Sequence, residues 1–285
     1  MNRIAFLTDS ASGINLQEAE ELGIFIIPIP FFLDGDVYYE NKTLSSKEFY
    51  TSLKDDIDIS TSQPSPGDLM SLWNTILEKY DQLIYIPMSS GLSSSCTTAK
   101  MLAQAHYADR VFVVDNKRIS ATQRQSVLDA MTLSKKGVSA KDIQQQLESE
   151  AYEASIYIAV DTLKYLKKGG RITPAVAAIG TVLNIKPILQ IQGDRLDTFS
   201  KSRGMKQAQR TMIEAIKNDL NTRFKGKNMT VCIAYSGSDA LGHAWRDKVQ
   251  ESFPEYNVEM FPLALGIACH TGEGALGIGC IQVTV

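Results

Sequence analysis

Short apolar segments alternate with helices that carry strong start signals, and this alternation restricts the possible folds more than any other feature of the chain. The first apolar segment, residues 4–7, is followed by Asn15 with Glu18 three residues later, a pairing that caps helix N-termini. Ser65 directly before Pro66 is a second start signal of this kind. The pattern predicts an α/β fold with mostly parallel sheets.

The chain is long enough for two domains. Its 285 residues compare with a typical domain length of about 150. We predict an N-terminal α/β domain of residues 1–155 and a C-terminal α/β domain of residues 156–285. In the second half we expect a helix after Pro174, further helices at residues 206–220 and 240–250, and strands at residues 188–191, 231–235, 258–261 and 280–283.

Composition and charge exclude several classes of function. A formal net charge of -3 lacks the basic bias that binding to a phosphate backbone requires, so we expect no nucleic-acid partner. The apolar run before Thr8 is too short for a secretory signal, and no apolar stretch has the roughly 20 residues of a membrane span. The 4 cysteines form no C-x-x-C pair. These features indicate a cytoplasmic protein with reduced thiols and no metal site.

Two segments rich in hydroxyl groups precede predicted helices. Thr61 and Ser62 lie shortly before the helix that starts at Ser65, and residues 89–93, which include Gly91 and Ser93, lie after a buried strand. Backbone N–H groups at helix N-termini favour anions, and ligands of parallel sheets gather beyond the carboxyl ends of strands. Serine and threonine are also ordinary caps and turn residues. The two segments together favour a site for a carboxylate or a phosphate.

A glycine-rich segment near the C-terminus contains a literal G-x-G-x-x-G, which is typical of dinucleotide binding. Too few residues follow it here for the required helix and acidic residue. We therefore expect a loop in which glycines such as Gly277 let the backbone approach a ligand and His270 points a ring N–H at it. A purely structural role for His270 is the alternative.

Two basic clusters could likewise have either a functional or a purely structural role. Arg171 follows two glycines at a predicted helix end, and Arg203 closes the run that starts at Lys201. Basic residues in such positions usually compensate the helix dipole or form a solvated surface.

Six motifs in this order resemble the DegV family, whose members include the fatty-acid-binding subunits of bacterial fatty acid kinase. The resemblance runs from residue 4 to the C-terminus. The six motifs are Thr8-Asp9-Ser10, Thr61-Ser62-Gln63-Pro64-Ser65, Ser89-Ser90-Gly91-Leu92-Ser93, Lys168-Gly169-Gly170-Arg171-Ile172, Ile185-Lys186-Pro187-Ile188 and the His270 glycine segment. The sequence departs from the family pattern at Ser94-Ser95 and at Glu273.

The resemblance implies two α/β domains with one long-chain fatty acid in a buried tunnel at the domain interface. It implies that residues matching Thr61, Ser62, Ser93 and His270 hold the carboxylate, with Arg171 near the ligand's head. It further implies a kinase catalytic subunit as partner, docked through Arg203 and Arg171, and it allows a transient membrane contact. We expect no cofactor and no turnover by this chain alone.

Two other functions are compatible with the same residues. The sequence contains the residues of an esterase or acyl hydrolase triad: a serine (Ser89, Ser90 or Ser93), His270 and a carboxylate (Asp9 or Asp115). No G-x-S-x-G motif is present. A scaffold for other proteins would carry no stoichiometric lipid.

Overall fold

Two sheets with different topologies organise the chain. The computed structural model describes residues 3–40, 42–54, 57–171, 185–193 and 195–284. The strands are β1 (Ile4–Asp9), β2 (Phe25–Ile27), β3 (Phe31–Leu33), β4 (Asp36–Tyr38), β5 (Ile59–Thr61), β6 (Gln82–Ile86), β7 (Val111–Val113), β8 (Ala154–Ala159), β9 (Ile185–Ile191), β10 (Asp197–Arg203), β11 (Met229–Tyr235), β12 (Glu259–Pro262) and β13 (Leu276–Gln282).

Several helices begin directly after a side-chain capping residue. Asn15 and Ser65 each accept a hydrogen bond from the backbone N–H three residues later, as predicted. The helices are α1 (Leu16–Leu22), α2 (Ser46–Lys54), α3 (Pro66–Leu77), α4 (Ser95–His106), α5 (Ala121–Lys135), α6 (Ala140–Ser149), α7 (Lys164–Lys168), α8 (Met205–Asn221), α9 (Asp239–Ser252) and α10 (Leu265–Thr271). The predicted helix after Pro174 lies outside the described residues.

The first sheet is parallel, as the alternation of strands and helices predicts. Its strand order is β2-β1-β6-β7, and every neighbouring pair runs in the same direction. Leu83 and Tyr85 of β6 pack with Trp73 of α3 on one face, and Ile84 packs with Ile143 of α6 on the other. Both faces are therefore buried, which parallel sheets require. The strands between β2 and β6 in the sequence form a small antiparallel sheet with the order β4-β3-β5.

The second sheet differs from the expectation of mostly parallel strands. Its order is β10-β9-β8-β13-β11-β12, and only β11 and β12 pair in parallel. The strand β10 follows β9 after a short connection, and β13 runs antiparallel to both of its neighbours. The sequence analysis did not identify β10, because its residues are polar, and it assigned the first part of β13 to a loop. The α/β class and the presence of two sheets are confirmed.

Helix α5 connects the two sheets. It contacts β1 and β6 of the first sheet and β11 and β13 of the second. Helices α8 and α9 cover one face of the second sheet, where Met212 and Trp245 are fully buried. The opposite face is turned toward the N-terminal half of the chain. No helix in the described ranges combines the length and the apolar character needed to cross a bilayer.

Candidate ligand-binding site

A cavity of about 1090 Å³, its open mouth included, lies between the two halves of the chain. Its walls come from β8, β11 and β13 of the second sheet and from the start of α5. Most of the lining side chains are apolar, for example Ile119, Ile156, Ile158 and Val160. A cavity with mostly apolar walls suits an apolar ligand.

The predicted polar residues gather at one end of this cavity. Thr61 ends β5, Ser93 lies in the turn before α4, and His270 lies in α10. Thr61 Oγ1 and His270 Nε2 are 2.9 Å apart although 209 residues separate them in sequence. Ser62 and Arg171 line the same cavity. The fold thus brings five of the residues predicted to bind the ligand, Thr61, Ser62, Ser93, Arg171 and His270, to one cavity, which Gly277 also lines.

His270 lies in the last turn of a helix, which corrects the expectation of a glycine-rich loop. Helix α10 spans only Leu265–Thr271 and contains Gly266, so the sequence shows little helical periodicity. The loop begins at Gly272, whose φ of 74° is the left-handed conformation that favours glycine. The helix holds the imidazole more rigidly than a loop would.

The imidazole of His270 is neutral near pH 7. Burial lowers its pKa to about 4, and the positive charge of Arg171 contributes to the shift. Its Nδ1 atom is buried and makes no hydrogen bond to any residue that the structure describes. A neutral ring carries one N–H, so it can offer a carboxylate one hydrogen bond without a full positive charge.

The turn that carries Ser93 is held by several hydrogen bonds. The Ser93 N–H donates to the Ser89 carbonyl, and Lys117 Nζ donates to Ser90 Oγ and to the carboxylate of Asp115. Ser93 Oγ accepts a 3.2 Å hydrogen bond from the Ser95 N–H. No residue that the structure describes accepts from the Ser93 hydroxyl, so its hydrogen can be donated to a ligand. Gly91, in the same turn, lines a surface groove beside the cavity mouth.

Arg171 lies exposed at the mouth of the cavity and connects two segments of its rim. Its Nη1 donates to the Gly169 carbonyl at 2.7 Å, and its Nε donates to the Leu92 carbonyl at 3.4 Å. Arg203 is also exposed, at the end of β10, and its N–H donates to Gln207. Arg203 is absent from the residues that line the cavity.

The arrangement gives no support to a hydrolytic triad. Asp9 is fully buried and accepts hydrogen bonds from Met88 N–H and Gln123. The carboxylate of Asp115 is paired with Lys117. The one hydrogen bond found for the His270 ring among the described residues joins it to Thr61. A triad needs the histidine between a nucleophile and a carboxylate.

Two residues of the site were not identified from the sequence. An added Cβ on Gly169 would lie 2.0 Å from His270 Nδ1, so glycine is required for the ring to fit. Glu40 Oε2 accepts a 3.0 Å hydrogen bond from the N–H of Leu265, the first residue of α10. Glu40 therefore positions the helix that carries His270.

The ionisation of Glu40 should make stability depend on pH. Burial raises its pKa to about 7, although the hydrogen bond from Leu265 opposes the shift. The folded protein then holds a proton that the unfolded chain has lost, so stability falls as pH rises from about 4.5 to about 7. Because glutamine does not ionise, we expect Glu40→Gln to gain about 1 to 3 kcal/mol over the parent across this window.

Urea unfolding of both proteins at several pH values would measure this difference. Glu48→Gln is a suitable control, because hydrogen bonds from Ser45 lower the pKa of the exposed Glu48 and give the opposite sign. A constant difference between Glu40→Gln and the parent at all pH values would contradict the assignment.

The chain is similar in sequence to known proteins. Residues 3–283 match the model of a family described as "Uncharacterised protein, DegV family". A DegV domain-containing protein of Listeria innocua is 30% identical over 279 residues, which cover 97% of each chain.

Solved structures share the fold over almost the whole chain. One is described as "Fatty Acid Binding of a DegV family Protein from Thermus thermophilus" and is 29% identical, with a TM-score of 0.89 and coverage of 99% of this chain and 100% of that chain. A second, described as DegV, a fatty acid binding protein from Bacillus subtilis, is also 29% identical, with a TM-score of 0.85 and the same coverage.

Proposed function

The chain belongs to the DegV family, and from this premise we propose that it binds one long-chain fatty acid and presents the carboxylate to a fatty acid kinase for phosphorylation. The observation that carries the proposal is a mostly apolar cavity at one end of which Thr61, Ser93 and His270 lie together. The two solved relatives at 29% identity are described as fatty acid binding proteins.

Burial of the acyl chain supplies most of the affinity. Each methylene removed from water contributes roughly 0.8 kcal/mol, so about 14 methylenes contribute on the order of 11 kcal/mol before the costs of association. Side chains such as Ile156, Ile158 and Val160 provide the apolar wall. The affinity then depends on the fit of the tail more than on the head group.

The head group needs donors that do not neutralise it. If the carboxylate were buried without hydrogen bonds, the free energy of its desolvation would offset much of the free energy gained by burying the tail. Hydroxyls of Thr61, Ser62 and Ser93, with neutral His270, hold the carboxylate and leave one oxygen able to attack the γ-phosphate of ATP on the kinase. A bidentate arginine would hold the carboxylate more tightly and weaken it as a nucleophile. Arg171 already donates to two backbone carbonyls.

The surface around the mouth supports docking of a partner. Arg171 lies at the rim, and both Arg171 and Arg203 are exposed. Exposed arginines commonly pair with acidic groups across protein interfaces. The kinase catalytic subunit would approach the open end of the cavity, where the carboxylate lies.

Removal of the Ser93 hydroxyl should weaken the site. We expect Ser93→Ala to lower fatty acid affinity and acyl phosphate formation about tenfold, because one hydrogen bond to a carboxylate is lost. Ser94→Ala is the matched control, because the exposed Ser94 makes no capping hydrogen bond. Titration with palmitate and a kinase-coupled assay measure the two effects.

Mass spectrometry of lipid extracted from the native protein tests the function directly. One fatty acid per chain is the expected result. Absence of stoichiometric lipid, or hydrolysis of acyl esters that Ser93→Ala abolishes, would overturn the proposed function.

A further inference from the structure

The strand β13 presents two different faces. Leu276, Ile278 and Cys280 belong to the core under α8 and α9. The alternate residues, Gly277 and Gly279, line the cavity together with Ile278, whose side chain packs in that core. In the sheet, Gly277 lies between Ile158 of β8 and Ala234 of β11, and Gly279 lies between Ile156 and Cys232. The cavity floor thus lacks side chains along its central strand.

Backbone geometry does not require glycine at position 277. Gly277 is not among the glycines with positive φ. An added Cβ there would meet its nearest atoms, in Ala234 and Tyr157, at 3.6 to 3.7 Å, which is ordinary van der Waals contact. Glycine inside a strand reduces stability and often marks the close approach of a ligand. The free space above Gly277 is therefore the feature that glycine provides.

The space is narrower at Gly279. An added Cβ would lie 3.7 Å from Cγ2 of Thr122 on α5 and 3.5 Å from Sγ of Cys232. The Thr122 hydroxyl donates to the Ile119 carbonyl at 2.9 Å, an arrangement in which its methyl group faces the strand. No side chain of α5 lies within this distance at Gly277. A single methyl group would close the gap between β13 and α5.

We propose that the acyl chain lies along the two glycines of β13. The gap between Gly279 and Thr122 then limits the length of the acyl chain that fits in the cavity. This inference rests on the proposed fatty acid binding. β8 leads into α7 and then Gly169, which contacts His270, so Val160, just after β8, lies nearer the polar end than Ile158 and Ile156 do. Gly279 pairs with Ile156, at the far end of this series. Consecutive residues on one face of a strand are about 7 Å apart. Closure of the cavity at Gly279 therefore removes the space that several methylene groups of the ligand would occupy.

Variants on opposite sides of the gap test the inference. Gly279→Ala should lower the affinity for stearate relative to myristate about tenfold, because the last methylenes lose their space. Thr122→Ser keeps the hydroxyl that bonds to Ile119 and removes only the methyl group, so it should raise the same ratio. Binding from an equimolar mixture of myristate, palmitate and stearate, read by native mass spectrometry, gives the ratio.

Controls separate this inference from the proposed function. Cys280→Ala changes the neighbouring residue on the opposite face of β13 and should lower stability without changing the chain-length ratio. Because an added Cβ at Gly279 would lie 3.3 Å from the Ser155 carbonyl, Thr122→Ser provides an independent variant should Gly279→Ala fold poorly. An unchanged ratio in Thr122→Ser overturns the inference while the fatty acid function stands. A parent protein that binds none of the acids overturns both.

Discussion

Replacement of Gly169 by alanine should reduce fatty acid affinity about 10- to 100-fold, a loss that corresponds to one or two hydrogen bonds to a charged group, and should cost about 1 to 3 kcal/mol in free energy of unfolding because the buried imidazole is displaced. The added Cβ would lie 2.0 Å from His270 Nδ1, so the imidazole has to move. The backbone at Gly169, with φ of -77°, accepts alanine without strain. Titration with palmitate and urea unfolding would measure the two quantities.

Gly170→Ala is the matched control for this prediction. Gly170 has a φ of 66°, where alanine is strained, but an added Cβ there would meet no atom within 4 Å. This variant should lose about 1 kcal/mol of stability and keep its affinity for palmitate. Equal affinities of Gly169→Ala and the parent would show that the position of His270 does not determine binding of the carboxylate.

The parallel half of the fold could be predicted because helices separate its strands β1, β2, β6 and β7 along the chain, and two of these helices have clear start signals. Asn15 and Ser65 cap the helices that their side chains predicted. The antiparallel half could not be predicted in this way. Polar side chains of β10 pair with β9 at a sheet edge, and the glycines of β13 resemble those of a loop. In both cases tertiary pairing decides the conformation more than local propensity does.

The polar end of the site could be predicted in part. Hydroxyl groups before predicted helices indicated Thr61 and Ser93, and the glycine-rich segment near the C-terminus indicated His270. The sequence did not indicate why Gly169 and Glu40 matter, because their roles depend on contacts with α10, more than 100 residues away in the chain. The Lys-Gly-Gly-Arg motif was the available signal for Gly169. It drew attention to Arg171 instead.

The buried Arg118 should have the largest effect on stability among the residues near the cavity. Its side chain is 1% exposed, and it donates to Ser126 Oγ and to the Glu150 carbonyl. Its positive charge also acts on Asp129, which is buried and accepts a hydrogen bond from the Thr284 N–H. Arg118→Ala leaves this carboxylate without its nearby cation and should cost about 3 to 5 kcal/mol in free energy of unfolding.

The loss should be larger at neutral pH than at mildly acidic pH. Burial already raises the pKa of Asp129 to about 6, and removal of the arginine's positive charge raises it further. The folded variant then holds a proton that the unfolded chain loses above about pH 4, so its stability falls as pH rises through this window. At about pH 5 Asp129 is protonated and neutral, so the missing charge of Arg118 matters less. Part of the loss in free energy of unfolding then disappears.

Arg124→Ala, in the helix α5 that follows Arg118, provides the comparison. Arg124 pairs with Glu18 and lies over the Phe261 ring, but both partners of the ion pair are partly exposed to water. Such pairs contribute about 0 to 1 kcal/mol, and this variant should show the smaller loss. Urea unfolding of both variants near pH 5 and pH 7 distinguishes the two cases. Equal losses at both pH values in Arg118→Ala would mean that the removed side chain acts through packing, and that the charge of Asp129 is satisfied by other groups.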